Sequence, residues 1–343
     1  MRSRLAVVTG ATGFIGSHLA RTLANQGWTV RVTTRARSRL DRIAGTPCQQ
    51  VPLDLTQSTD SQVDQALAGA THVFHVAGLV CGSAQQLQTV NCLGTERLVA
   101  HAARMDAPPK MILVSSMAAA GPSAPGERIF PDSIPQPVSN YGQSKLAGER
   151  KAIASRGDAP LAIVRPGIVF GPGDTEFVRL LRAMVRLRVN PMIGRGQTPL
   201  SMIHVDDLVR LLILAADNPQ HVGRWNSRGD AEGGEGIFHA ADPEPLSMVE
   251  LGRLVRESSG RRVLLQLPIP KLIGYAIGAS SELIGQMLRK PTTLNRDKIR
   301  EATATGWAID VEKSISQLGW SPAKSLEARL RETVDEGMAT GIL

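Results

Sequence analysis

The chain has 343 residues, 42% of them hydrophobic, 20% charged and 3% aromatic, with 39 basic against 31 acidic side chains and a sequence pI near 9.9. This length buries a full core in one large or two small domains, and the composition excludes disorder as the default state. Scarce aromatics and the lack of a basic arm argue against nucleic acid as a partner, while the net charge of +8 suits an anionic cofactor, a generally basic surface or a weak pull toward acidic lipid.

Leu5 to Val8 form a short apolar run of buried-strand type. Thr9 to Ala20 follows as T-G-A-T-G-F-I-G-S-H-L-A, and Ile15, Leu19 and Leu23 then fall at helical spacing. Gly10 permits a tight turn, Gly13 lets backbone N–H groups approach a pyrophosphate, and Gly16 lets the helix pack on the strand, so Thr12, Phe14 and Ile15 come to the anion-facing helix start. The spacing is G-x-x-G-x-x-G, one residue from the G-x-G-x-x-G fingerprint, so the flanking strand and helix carry the dinucleotide reading. The expected fold class is α/β, a Rossmann-type doubly wound parallel sheet. It is expected over residues 1–170, with strand and helix returns around 200–216, and a smaller α/β substrate lobe over 171–343.

Thr29 to Thr34 reads as the second strand, whose end lies beside the adenosine ribose in such a fold. An NAD-preferring site normally places an acid there, whereas this chain continues Arg35, Ala36, Arg37. A guanidinium at Arg35 suits a 2′-phosphate and favours NADP, with NAD as the other option; surface charges after a strand are the plainer explanation. Asp54 and Leu55 end a strand-like segment from Gln50, where a short acid can meet the adenine amino group. Thr71 to Gly78 is the next strand, ending in small residues such as Ala77 that let a cofactor approach the backbone. His72 and His75 alternate along it and read as hydrogen-bonded core histidines rather than metal ligands; no metal is expected. Asn91 opens a helix whose Leu98, Val99 and Ala102 face inward, and its amide either caps that helix or joins a polar network. Met111 to Ser116 is a strand with two hydroxyls at its C-terminal end, followed by a Gly/Pro-rich loop from Gly121 to Pro137, either a substrate mouth or a connector.

Tyr141 and Lys145 form Y-x-x-x-K at the start of a helix, and positions i and i+4 share one helical face. An ammonium beside a phenol lowers a pKa of ~10, making tyrosine an acid or base usable near neutrality. With Ser116 able to bond the same substrate oxygen, the set suits hydride transfer between a carbinol or carbonyl carbon and a nicotinamide.

Together with T-G-A-T-G-F-I-G (Thr9–Gly16), V-S-S-M-A-A-A-G (Val114–Gly121), R-P-G-I-V-F-G-P-G-D (Arg165–Asp174) and I-H-V-D-D-L (Ile203–Leu208), this motif makes the chain resemble the extended or atypical short-chain dehydrogenase/reductases of the NAD(P)-dependent epimerase/dehydratase superfamily. The resemblance implies that Ser116, aligning better than Ser115, polarises the oxygen and that Tyr141 transfers the proton. It also implies that Lys145 lowers the tyrosine pKa and holds the nicotinamide ribose, with Pro166 and Val169 at the cofactor. His204, Asp206 and Asp207 match the family's structural hinge. Met117, Ala118, Ala119 and Ala120 depart from the sugar-nucleotide subgroup. An apolar lining beside the serine suggests a hydrophobic alcohol or ketone, as in the 3β-hydroxysteroid dehydrogenase and dihydroflavonol reductase-like branch. A nucleotide-sugar epimerase or dehydratase that returns its cofactor unchanged is the alternative.

After Ala216 a glycine-rich passage, Asn226 to Gly236, reads as an exposed loop, and Ser247 with Glu250 forms a capping box for a helix to Ser258. Ile269 to Leu288 is apolar but interrupted by Lys271 and Glu282; it reads first as a buried substrate-lobe helix and second as an interfacial helix making peripheral membrane contact. Trp307, Trp320 and a helix from Ser325 to Met338 are expected to complete that lobe. Cys48, Cys81 and Cys92 show no C-x-x-C spacing, which fits a reducing cytoplasm, and a strand beginning at the fifth residue leaves no room for a signal peptide. Homodimers are frequent among similar proteins, so a homodimer is a further expectation, with no dimer helix assignable.

Overall fold

The computed structural model describes residues 4–36, 38–218, 234–287 and 296–343. Arg37, residues 226–233 of the predicted glycine-rich loop and Leu288 lie outside the described residues.

The first half alternates strand and helix: β1 (Leu5–Thr9), α1 (Phe14–Asn25), β2 (Thr29–Thr34), β3 (Gln49–Pro52), α2 (Asp60–Leu67), β4 (His72–His75), α3 (Ala84–Leu87), α4 (Gly94–Ala103), β5 (Lys110–Val114), α5 (Met117–Ala120), α6 (Asn140–Ser155) and β6 (Leu161–Pro166). The strand predicted to run to Leu55 stops at Pro52; Asp54 sits beyond it in a turn, where its carboxylate accepts from the Thr56 amide at 2.9 Å. The second half contains β7 (Ile168–Phe170), α7 (Glu176–Arg182), β8 (Val189–Ile193), β9 (Pro199–Leu200), β10 (Met202–His204), α8 (Val205–Asp217), β11 (Ile237–Ala240), β12 (Leu246–Ser247), α9 (Met248–Ser258), β13 (Leu265–Ile269), α10 (Lys271–Met287), α11 (Arg296–Ala302), α12 (Glu312–Leu318) and α13 (Leu326–Ala339). Ser247 and Glu250 form the expected capping box.

Seven strands make one parallel sheet in the order β11-β6-β5-β4-β1-β2-β3. Both faces are buried, as a parallel sheet requires: Ala6 and Val8 pack with Leu19, Leu208 and Leu212 on one side, and Val7 and Val73 with Leu98 and Ile153 on the other. The chain winds outward in both directions from β1 and β4, so a crevice opens at their C-terminal ends. The second lobe gathers α7, α9 and α13 around Phe170, Leu181, Leu254 and Leu330.

Three expectations about the C-terminal half need correction. β11 belongs to the large sheet, so the sheet domain draws on residues well beyond 170. Trp320 is fully buried in the sheet domain's core, with its indole N–H donating to the Asp207 carbonyl at 3.0 Å, and so does not complete the substrate lobe. Finally, α10 is not a buried helix: Leu272, Ile273, Tyr275 and Ile277 are exposed, and the helix packs inward through Gly274 and Gly278. Among the described residues no helix is long and apolar enough to cross a membrane.

Candidate active site

The glycine turn is built by steric exclusion. Gly10 has φ of 71°, and a Cβ on it would lie 2.7 Å from the Ala77 amide nitrogen; on Gly16 it would lie 2.2 Å from the Gly10 carbonyl oxygen. Only hydrogen fits at either point, which brings the start of α1 against the end of β1. Gly13 stands at the N-cap and has no side chain to satisfy the first amides, so Thr12, Phe14 and Ile15 surround a helix N-terminus suited to an anion. Gly78 leaves similar room at the end of β4, where an added Cβ would come 3.2 Å from Asn91 Oδ1 and 3.6 Å from Lys145 Nζ. These cradles fit a dinucleotide.

Behind the crevice runs a buried polar chain. Thr9 Oγ1 lies 2.7 Å from His75 Nδ1 and accepts from the Ala77 amide at 3.2 Å, while His75 Nε2 lies 2.9 Å from Thr95 Oγ1. Asn91 accepts from the Leu79 amide at 2.7 Å and donates to Ser144 Oγ at 2.9 Å, and Ser144 donates to the Tyr141 carbonyl at 2.8 Å. Asn91 therefore joins the network, within a π-helical turn, rather than capping α4. Burial, assisted by the Lys145 charge, pushes the His75 pKa down to about 3, so its imidazole is neutral.

The two serines after β5 separate cleanly. Ser115 is buried and donates to Glu149, which also holds Arg165 through bonds of 3.0 and 2.7 Å. Ser116 caps α5, accepting from the Ala118 amide at 3.2 Å, and its hydroxyl faces the Tyr141 phenol, whose pKa it lowers. Ser116 and Tyr141 thus meet at the C-terminal edge of the sheet.

Lys145 reaches back along the sheet edge from its place one turn after Tyr141. Its Nζ donates to the Val114 carbonyl at 2.7 Å, and burial pushes its pKa down to about 8 against the opposing pull of Glu149. The Tyr141 phenol is raised, chiefly by burial; the main cation opposing that rise is Lys298 of α11, with Nζ 5.3 Å from the ring centroid. Lys298, Glu301 and Asp297 carry no motif in sequence and escape a reading by spacing. The apolar run Met117–Ala120 also differs from expectation. All four residues are buried, Met117 packing with Trp307 and Ile309, and α5 approaches α6 so closely that a Cβ on Gly142 would lie 2.3 Å from the Ala118 carbonyl oxygen. The close contact of α5 with α6 and, for Met117, packing against Trp307 account for their character.

Arg35 is exposed just beyond β2, with its amide donating to Ser38 Oγ at 2.8 Å. Leu55 and Val169 are partly buried, and Pro166 is buried at the end of β6 beside Ala240. Asp207 is a buried anchor, bonded to Arg329 Nε at 3.0 Å and to the Ala323 amide at 2.8 Å; His204 caps α8. The loop from Gly121 to Pro137 is strapped to the C-terminal segment through an Ile129–Ile309 bridge.

The model of the NAD dependent epimerase/dehydratase family matches residues 6–226. A ceramide reductase of Caulobacter vibrioides is 31% identical over 308 residues, covering 88% of this chain and 85% of its own. A 3 beta-hydroxysteroid dehydrogenase/Delta 5-->4-isomerase of Mycobacterium tuberculosis is 29% identical over 276 residues, 75% of this chain and 70% of its own. Among solved structures, MoeE5 in complex with UDP-glucose and NAD superposes with a TM-score of 0.72 at 26% identity, covering 98% of this chain and 99% of its own.

Proposed function

From the premise that this chain belongs to the NAD dependent epimerase/dehydratase family, and is an NAD(P)-dependent enzyme of short-chain dehydrogenase/reductase type, we propose that it interconverts a secondary alcohol and a ketone on a hydrophobic substrate. The observation that carries this reading is the approach of the Ser116 hydroxyl to the Tyr141 phenol at the sheet edge, with Lys145 Nζ beside Gly78 at the end of β4. In the reductive direction Tyr141 gives its proton to the carbonyl oxygen while the Ser116 O–H donates a hydrogen bond to the same atom. The bound nicotinamide supplies the hydride. A phenol kept protonated by burial suits the acid role, and Lys145, beside Gly78, suits the nicotinamide ribose.

Support for an apolar substrate comes from the names of the two relatives and from the second lobe. Leu272 is 82% exposed, and Leu265, Leu267 and Ile273 extend the same apolar character along β13 and α10. Lys271 donates to the Thr303 carbonyl at 2.9 Å, tying α10 to the residue that follows α11 and hence to the site. We read this surface as the substrate's approach, in peripheral contact with acidic lipid; cosedimentation with anionic vesicles tests that contact. An exposed arginine after β2, where an acid would favour NAD, supports a preference for NADP.

The alternative is nucleotide-sugar epimerisation or dehydration, favoured by the likeness to MoeE5. Titration with NADPH and NADH, followed by a screen of ketones and sugar nucleotides, separates the two. Net NADPH oxidation by an apolar ketone supports the reductase. Conversion of a sugar nucleotide without net cofactor oxidation overturns it.

A further inference from the structure

Helix α11 brings three ionisable side chains to the first turn of α6. Asp297 accepts from the backbone amides of Asn140 at 2.8 Å and Tyr141 at 3.1 Å. Glu301 accepts from Ser139 Oγ, the N-cap hydroxyl, at 2.6 Å. Lys298 donates to Glu301 Oε2 at 2.7 Å, which holds its ammonium over the Tyr141 ring. The two carboxylates answer the unsatisfied amides and positive end of α6, so the docking has its own electrostatic cause and is not incidental to chain packing.

We propose that Lys298 is a positioning residue for the reaction: the second lobe supplies a cation, additional to Lys145 of the motif, that favours proton release from Tyr141, and the seating of α11 on α6 therefore tunes the acid strength of the phenol. The inference rests on the reading of Tyr141 as proton donor, but its geometry does not.

The other groups facing Tyr141 do not replace this cation. Ser116, the N-cap of α5, is neutral, and Cys81, from the loop after β4, has its thiol pushed up by burial and, when ionised, raises the phenol rather than lowering it. Glu301 acts in the opposite sense and is itself paired with Lys298; Asp297 is engaged with the helix amides and lies 3.9 Å from Arg300. Lys145, one turn along α6, is held by the Val114 carbonyl. Burial favours the neutral amine at Lys298, yet Glu301 and Tyr141 together outweigh it and keep the ammonium charged.

The chain has only two tyrosines, so Tyr275→Phe leaves Tyr141 as the single phenol for a titration followed by carbon-13 NMR of ring-labelled tyrosine. In the full chain saturated with oxidised cofactor, Lys298→Met is expected to raise the Tyr141 midpoint by about one pH unit, and Lys298→Arg to restore it. Lys298→Gln carries the same expectation as the methionine variant should that variant not fold. A midpoint unmoved by loss of the ammonium overturns the proposal, as does an equal rise in the arginine variant. Because the titration needs no turnover, a chain that shifts as expected but reduces no ketone would overturn the proposed function alone.

Discussion

The two ends of α6 carry ion pairs built for opposite purposes. Around Glu149 the side chains of Ser115, Glu149 and Arg165 are closed from solvent, with 1% exposure for Arg165 and 0% for Glu149. Around Tyr141 the pair Lys298–Glu301, both on α11, is 34% and 15% exposed, and Glu301 seats that helix on α6 through Ser139. The first pair is covered by the sheet and cannot reach a ligand; Arg165 Nη1 has no hydrogen-bond partner among the described residues, a cost the core carries. The second stays partly open to solvent beside the Tyr141 ring. A buried pair is expensive to break, whereas a half-exposed pair is cheap to break and sensitive to what docks beside it.

The sharpest test of this contrast removes the phenol. Tyr141→Phe is expected to lower turnover by about 10²–10⁴-fold while leaving cofactor affinity and the denaturation midpoint nearly unchanged, as read by steady-state kinetics and cofactor fluorescence titration. At the other end, Arg165→Met leaves Glu149 buried and uncompensated and is expected to cost about 3–5 kcal/mol in denaturant unfolding, with Glu149→Met added to it restoring part of the loss. If the single variant unfolds like the parent, the two ends of the helix do not differ as argued.

A third expectation concerns pH. His75 and His239 are held near a pKa of about 3 and His72 near about 4, all chiefly by burial, against an ordinary 6.5. Between those values the unfolded chain binds protons that the folded chain does not, so stability is full above pH 6.5 and falls as the pH drops toward 4. Each histidine adds a slope of up to ~1.4 kcal/mol per pH unit. Thermal melts from pH 7 to 4.5 measure it, and His75→Asn should make the decline shallower. The smallest effect is expected at the exposed cofactor edge: Arg35→Ala should weaken NADPH about tenfold and NADH hardly at all, by isothermal titration.

Much of the site is legible in the amino-acid residues themselves. The glycine turn can be read because its requirements are local, a strand, three hydrogens in place of side chains and a helix within about a dozen residues, and β2 and the Ser247 cap follow the same logic. Ser116 and Tyr141 can be named from motif and resemblance, although the preference for Ser116 over Ser115 has its physical cause in Glu149, more than thirty residues away. The end point of Lys145 cannot be read from its spacing, because a shared helical face does not say where a four-carbon stem ends; it lies at the Val114 carbonyl. Likewise Met117–Ala120 are apolar on any reading, but only their burial, with Met117 against Trp307, shows that they face the core.

The amino-acid sequence by itself determined the order of the elements, the glycine turn between β1 and α1 and the helix caps, since these depend on periodicity and steric demands between near neighbours. Tertiary structure alone decided that β11 closes the sheet, that Trp320 belongs to the sheet domain and that Lys298, 157 positions from Tyr141, comes to lie over its ring. Such contacts arise when distant surfaces bury area together, and no local pattern encodes which distant charge will arrive.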